Sequence, residues 1–182
     1  MAETMRAISA IQTLLANNAL GAISPTDLRD ALIATALPGH GEISVTSSAA
    51  TTLSDTSTWV EVAGTYALTS TPTAMNWAMA TNARLDYTGA AGRVLHIAAT
   101  VGMTCVSNNQ VTEWAIAKNG TVLTPSITRS KIGTGADVGS TAIHGHTNVV
   151  NGDYISVMCR NTTGANNVTA EKLNLFAMDM AE

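Results

Sequence analysis

The stretch Val111-Thr-Glu-Trp-Ala-Ile-Ala-Lys-Asn-Gly-Thr-Val-Leu123 constrains what this chain can fold into more than any other. Two apolar runs flank Asn119-Gly120, and a two-residue type I′ turn needs positive φ at both central positions, which asparagine and glycine tolerate best. The stretch therefore predicts a β-hairpin inside an all-β domain, with Trp114 and Ile116 in the core and Lys118 at the strand end. A second turn signal, Asn151-Gly152-Asp153, precedes Tyr154–Cys159, where period-two alternation puts Ile155, Val157 and Cys159 on one strand face.

Strand-like runs separated by turn residues continue along the chain: Trp59–Val62, Thr65–Leu68, Met75–Met79 and Arg84–Tyr87. Arg93–Val106 is the longest. It has Ile97, Ala99, Val101, Met103 and Cys105 on the core face and His96, Ala98, Thr100, Gly102 and Thr104 on the other. Pro125–Ser140 is polar and carries Lys131, Gly133, Gly135, Asp137 and Gly139, so it reads as a long loop crossing between sheets. Thr141–Val150 and Tyr154–Arg160 are two further strands joined at Asn151-Gly152, and Val168–Met178 closes the domain with Leu173, Leu175 and Ala177 inward. Short strands at this spacing form a sandwich or a barrel.

The N-terminal residues follow a different period. Met5, Ile8, Ile11, Leu14 and Leu15 recur at three- and four-residue spacing, the pattern of an amphipathic helix. After Gly21, Ser24-Pro25-Thr26-Asp27 supplies an N-cap, a proline at N1 and an acidic N3 for a second short helix carrying Leu28, Leu32 and Ile33, which Pro38-Gly39 ends. Burying about five or six aliphatic side chains stabilises by roughly 1.5–3 kcal/mol each, whereas ordering about fifteen backbones costs roughly 1–2 kcal/mol each. The arm is therefore expected to order only against its own domain, its copies or a different protein. Gly39–Ser57 lacks periodicity, with Ile43 and Val45 its only aliphatic pair, and reads as a linker holding at most one short strand. The expected organisation is a helical arm over residues 1–38, a linker over 39–57 and a β domain over 58–182.

At 182 residues the chain accommodates one domain and an appendage. Charged residues make up 12% of it, about half the roughly 25% of soluble globular proteins. Either other subunits cover part of the surface, or a monomer carries a Thr/Ser/Asn-rich one. A formal charge of −4 with few Lys and Arg argues against phosphate-backbone recognition, so no nucleic-acid partner is expected. No apolar run is long enough to span a membrane, and no charged n-region precedes a continuous apolar h-region; the expectation is cytosolic synthesis and no membrane partner. Cys105 and Cys159 fall on apolar strand faces, where a cytosolic product is expected to keep buried free thiols; a bridge between neighbouring strands is the alternative.

Chemistry-bearing patterns are sparse. The sequence contains no nucleophile elbow, metal-protease helix, phosphate-cradling glycine loop or paired carboxylates, and Asp137, Asp153 and Glu171 are too widely spaced to be given a joint role. No enzymatic activity, catalytic residue or cofactor is expected. His144-Gly145-His146 places two imidazoles on one face of a strand, where three copies about a symmetry axis could supply metal ligands. With no carboxylate or further histidine nearby in sequence, they read as solvated or hydrogen-bonded side chains, and no metal is assigned.

The order of these motifs resembles a known family. Gly64-Thr-Tyr66, the long alternating strand, Lys118-Asn-Gly120, Asn151-Gly-Asp-Tyr-Ile-Ser-Val157 and Leu173-Asn-Leu-Phe-Ala-Met178 are similar to the jelly roll of tumour necrosis factors and complement globular heads, over roughly the C-terminal two thirds of the chain. The resemblance implies a two-sheet sandwich that assembles as a homotrimer with apolar residues along the threefold axis. With one Phe and three Tyr in the chain, small and aliphatic residues would replace an aromatic axis.

Ile23-Ser-Pro-Thr-Asp-Leu-Arg-Asp-Ala-Leu-Ile33, with Asp27-Leu-Arg-Asp30 at its centre, is similar to the leading segments of tailed-bacteriophage fibre, head-fibre and decoration proteins. Together the resemblances imply a mainly β protein, a jelly-roll β-sandwich preceded by a short α-helical N-terminal arm. It would be a virion component made in the bacterial host cytoplasm and exposed by lysis. One role is a capsid decoration or cement trimer that stabilises the head, with arm residues Met5, Ile8, Ile11, Leu14, Leu15, Leu28 and Leu32 docking on the major capsid protein or another virion protein. The alternative is a tail-fibre or baseplate tip that binds a host-surface receptor through loops such as Pro125–Ser140 and Asn161–Asn167. Trp59, Trp77 and Trp114 fall mostly within strands, leaving few aromatic platforms for sugars, which favours decoration. A secreted signalling or lectin-like trimer is a third reading that the lack of a signal peptide disfavours.

Overall fold

The computed structural model describes residues 39–69, 76–134 and 137–180. The helical arm expected over residues 1–38, with its docking residues Met5, Ile8, Ile11, Leu14, Leu15, Leu28 and Leu32, lies outside the described residues. The described residues form two antiparallel sheets. In the first, the order is β11 (Gly139–Val149), β7 (Arg93–Cys105), β13 (Val168–Asp179), β1 (His40–Ser48) and β4 (Gly64–Leu68), with β2 (Ala50–Thr51) beside β13. In the second, the order is β10 (Thr128–Ile132), β8 (Gln110–Lys118), β12 (Tyr154–Asn161), β6 (Leu85–Tyr87) and β5 (Trp77–Ala78), with β3 (Val60–Glu61) beside β12 and β9 (Thr121–Val122) beside β8.

Alternation decides which side chains fill the space between the sheets. Along β7, Leu95, Ile97, Ala99, Val101, Met103 and Cys105 are buried, and along β13 so are Leu173, Leu175 and Ala177. The second sheet contributes Trp114, Ile116, Ile155, Val157 and Cys159. A buried indole N–H needs an acceptor, and Trp114 Nε1 donates to Thr112 Oγ1 at 2.9 Å. Both cysteines are free and buried, Cys105 in one sheet and Cys159 in the other.

The Asn-Gly hairpin is present. Asn119 and Gly120 have φ of 50° and 76°, and Ala117 and Lys118 pair with Val122 and Thr121. Asp153 ties this turn to the Asn151-Gly152 turn: its carboxylate accepts from Asn119 Nδ2 at 2.7 Å and from the Val150 N–H at 2.8 Å, and it meets Lys118 Nζ at 2.8 Å. Asn119 Oδ1 in turn accepts the Tyr154 N–H at 2.9 Å. Burial alone would raise the Asp153 carboxyl, but the hydrogen bonds from Lys118, Asn119 and Val150 outweigh it and hold the group below its usual range.

Two expectations are corrected. Residues 39–57, read as a linker, hold β1 and β2; β1 pairs with both β13 and β4, so among the described residues the sandwich already includes His40–Ser48. The hydrophobic pattern was weak there because one inward position is Gly41, where a Cβ would meet Trp77 Cγ at 2.6 Å. Pro125–Ser140 is not one long loop: a single 3-10 turn at Thr124–Ser126 leads into β10, which pairs with β8 from Thr128↔Trp114 to Ile132↔Gln110. As an edge strand, β10 needs only one large inward apolar residue, the buried Ile132, and its outward Arg129 and Lys131 disguise it. Asn151-Gly152 joins β11 to β12 as expected, and the turn carries the chain from the first sheet, where β11 pairs with β7, to the second, where β12 pairs with β8.

Candidate functional site

The outer face of the first sheet is an ordered array set by strand register. Reading across β11, β7, β13 and β1, one row is His146, His96, Met178 and His40. The next is His144, Ala98, Phe176 and Glu42, and the third is Ala142, Thr100, Asn174 and Ser44. Ser140, Gly102 and Lys172 continue it across β11, β7 and β13. The small residues of the last two rows floor a shallow depression lined by Ser44, Thr100, Gly102, Ala142, Asn174 and Lys172, among others.

The apolar residues on this face set it apart. Phe176 is the only phenylalanine in the chain, and it lies outward and half-buried beside Ala98 and Met178, with the His40 ring 6.1 Å from its own. Neither Phe176 nor Met178 joins the hydrophobic core. The inward alternation of Leu173, Leu175 and Ala177 implied this orientation for both residues, although the sequence reading drew no site from it.

Charged residues are distributed differently on the second sheet. Glu113 on β8 is 5% exposed and held between Arg129 of β10, at 2.7 Å, and Arg160 of β12, at 2.6 Å. Burial pushes its carboxyl up, but the two guanidinium groups outweigh that and keep it below its ordinary value. Arg160 also stacks over the Trp59 ring at 4.7 Å. Arg84 pairs with Glu61 at 3.1 Å and lies 4.3 Å from the centre of the Tyr154 ring.

His144 and His146 are exposed on the outer face of the first sheet, as the alternation implied. The register adds what the linear sequence concealed: His96 lies opposite His146, and its ring is 6.3 Å from that of His144. All four histidines of the chain share this face. Among the described residues, no group of three or more His, Cys, Asp or Glu is arranged to hold a metal ion. The tryptophans are engaged internally: Trp77 and Trp114 are buried and Trp59 is capped by Arg160. The proposed receptor loop at Asn161–Asn167 is anchored by Asn161, whose Nδ2 donates to Gln110 Oε1 at 3.0 Å and to the Asn166 carbonyl at 3.1 Å.

No family model and no curated protein matches the chain. Solved structures do match. Murine APRIL at pH 5.0 gives a TM-score of 0.46 at 12% identity, over 78% of this chain and 99% of that one. Rabbit GITRL gives 0.40 at 7% identity, over 78% and 94%. Eiger TNF from S. frugiperda gives 0.53 at 11% identity, over 80% of this chain and 94% of that one. That last likeness is one of fold, and it identifies the two-sheet sandwich as a TNF-like jelly roll.

Proposed function

We propose that copies of this chain pack against one another through the outer face of the first sheet as a homotrimer, and that the trimer is a non-enzymatic structural component of a tailed-phage virion. The observation that carries the self-association reading is the outward Phe176 and Met178, on a sheet face whose remaining positions are mostly small and uncharged. An outward aromatic that does not join the subunit's own core is informative where scattered surface aliphatics are not. Small residues let two backbones approach closely, and a face with few charges desolvates at low cost.

The virion reading rests on the Ile23–Ile33 segment, with its Asp27-Leu-Arg-Asp30 centre, and on the low charge of the whole chain. In this reading the amphipathic arm docks on the major capsid protein while the sandwich faces solvent, and the protein cements the head. The protein is made in the host cytoplasm and reaches the outside with the particle. The internal engagement of all three tryptophans favours decoration over sugar recognition at a fibre tip.

Two measurements test the proposal. Particles assembled without this protein are expected to lose resistance to heat and osmotic shock; unchanged resistance would remove the cement role. Copy number then separates the two virion roles, because a decoration protein is present in many copies per particle and a fibre or baseplate tip in few.

A further inference from the structure

We propose that the histidine cluster on this face makes self-association pH-responsive: His96, His144 and His146 pack neutral in the assembled state, and their protonation drives the subunits apart. This rests on the reading of the face as the subunit contact. The three imidazoles occupy two adjacent strands, with His96 opposite His146 and 6.3 Å from the ring of His144. They lie next to the apolar patch of Ala98, Phe176 and Met178. Imidazole is the side chain that gains charge between about pH 8 and pH 5, and charging it beside apolar rows that a partner covers is disfavoured by desolvation.

The surrounding charges offer little compensation. On the same face, β1 brings Glu42, which accepts a hydrogen bond from Asn174, and His40; β13 brings Glu171 and Lys172. Arg93 and Asp179 pair with each other at 3.6 Å at the His40 end of the sheet. Lys118 reaches over from β8 to donate to the Asn148 carbonyl at 2.8 Å, and it is paired with Asp153. On β4, Tyr66 is buried and turned inward, and on β10 Arg129 faces the other way, toward Glu113. Among the described residues of this face, Glu42 and Glu171 against Lys172 leave one net negative charge. Protonating the three clustered histidines turns this into two net positive charges, and His40 adds a third. Covering this face in the assembly would bring its positive charge against a neighbouring subunit and out of water, and both effects oppose the contact that the neutral face permits.

The test is sedimentation velocity of the full chain over a concentration series at about pH 8 and about pH 5.5, with circular dichroism at both. The expected result is a trimer at the higher pH and, at the lower, a rise of about tenfold or more in the concentration at which half the chains are assembled, with the β-sheet spectrum unchanged. The combined variant His96→Gln, His144→Gln, His146→Gln keeps hydrogen-bonding capacity without the charge and is expected to remain assembled at both. Equal assembly of the native chain at both pH values overturns the pH proposal and leaves the interface standing. A monomer at both overturns the interface and the proposal with it. Low-pH dissociation that persists in the glutamine variant, or loss of the β-sheet spectrum over the same range, overturns the role of these histidines.

Discussion

Gly102→Glu separates the fold of the subunit from its assembly, because the two should respond in opposite directions. Gly102 sits on the outward face of β7, opposite Ser140 on one side and Lys172 on the other. A Cβ built there meets nothing nearer than Lys172 Cβ at 3.7 Å, an ordinary contact. Within one subunit, replacing a strand glycine whose backbone other residues can adopt stabilises by about 0.4–1 kcal/mol, chiefly by restricting the unfolded chain. The new carboxylate faces Lys172, and an exposed pair of this kind adds roughly 0–1 kcal/mol. The isolated sandwich should therefore be no less stable than the parent. With this face as the proposed contact, the same carboxylate would be enclosed in the depression beside Thr100 and Ala142. Taking a carboxylate out of water at a contact costs several kcal/mol even beside one cation, and about 3 kcal/mol weakens association by roughly a hundredfold. Sedimentation velocity reads the second effect, and urea denaturation of the dissociated protein reads the first. Association like that of the parent would refute the assignment of this face as the contact, and a fall in the urea midpoint would refute the account of open space above Gly102.

Other consequences follow from the buried polar groups. Asp153→Ala removes the partner of Lys118, Asn119 and the Val150 N–H at a site where Asp153 is 12% and Lys118 28% exposed; a loss of about 2–4 kcal/mol in urea unfolding is expected. Glu113 and Asp153 are held below their ordinary values of 4.5 and 3.8, so the unfolded chain takes up their protons first as pH falls. Their contribution is full above about pH 5 and is lost as pH drops through the folded values, which urea midpoints between about pH 3 and pH 7 should show. Asp179 runs the other way, since burial raises its carboxyl above 3.8 despite Arg93 and the Gly39 N–H; its contribution declines as pH rises through its folded value. Burial, partly offset by a hydrogen bond with Thr51, pushes the Cys159 thiol up to about 12. A thiol reagent should therefore label it only in denaturant, and rapid labelling of the native protein would contradict the burial.

Much of the sandwich was legible because its central strands carry both signals a sequence can display, alternation and specific turn chemistry. Arg93–Cys105 alternates without interruption, and Asn119-Gly120 adopts the positive φ pair that its residues were read to favour. The errors cluster where inward positions are filled by something other than an aliphatic side chain. Gly41 is inward because the Trp77 ring takes the volume beside it, and β10 reads as a loop because Thr128 and Ser130 are its inward residues opposite Trp114 and Thr112. The histidine cluster was half visible. His144 and His146 lie two residues apart on one strand, whereas His96 joins them only through the pairing of β7 with β11, which local sequence does not specify. Asp153 illustrates the same limit: both turns were read, but not the carboxylate that binds one to the other.

The low charge of the chain acquires a location once the register is known. Five ion pairs join described residues, and four of them involve the second sheet or its turns: Arg84–Glu61, Lys118–Asp153, Arg129–Glu113 and Arg160–Glu113. The fifth, Arg93–Asp179, closes one end of the first sheet and does not project from the middle of its face. A monomer with a uniformly Thr/Ser/Asn-rich surface has no physical reason to segregate charge in this way, since solvent penalises neither face for carrying it. A subunit that turns one sheet to its copies and the other to water does have such a reason. The buried face must desolvate cheaply, and the exposed face must resist edge-to-edge and face-to-face sticking. Among the described residues, ion pairs gather on the second sheet, and the outer face of the first carries Phe176, Met178 and the histidines.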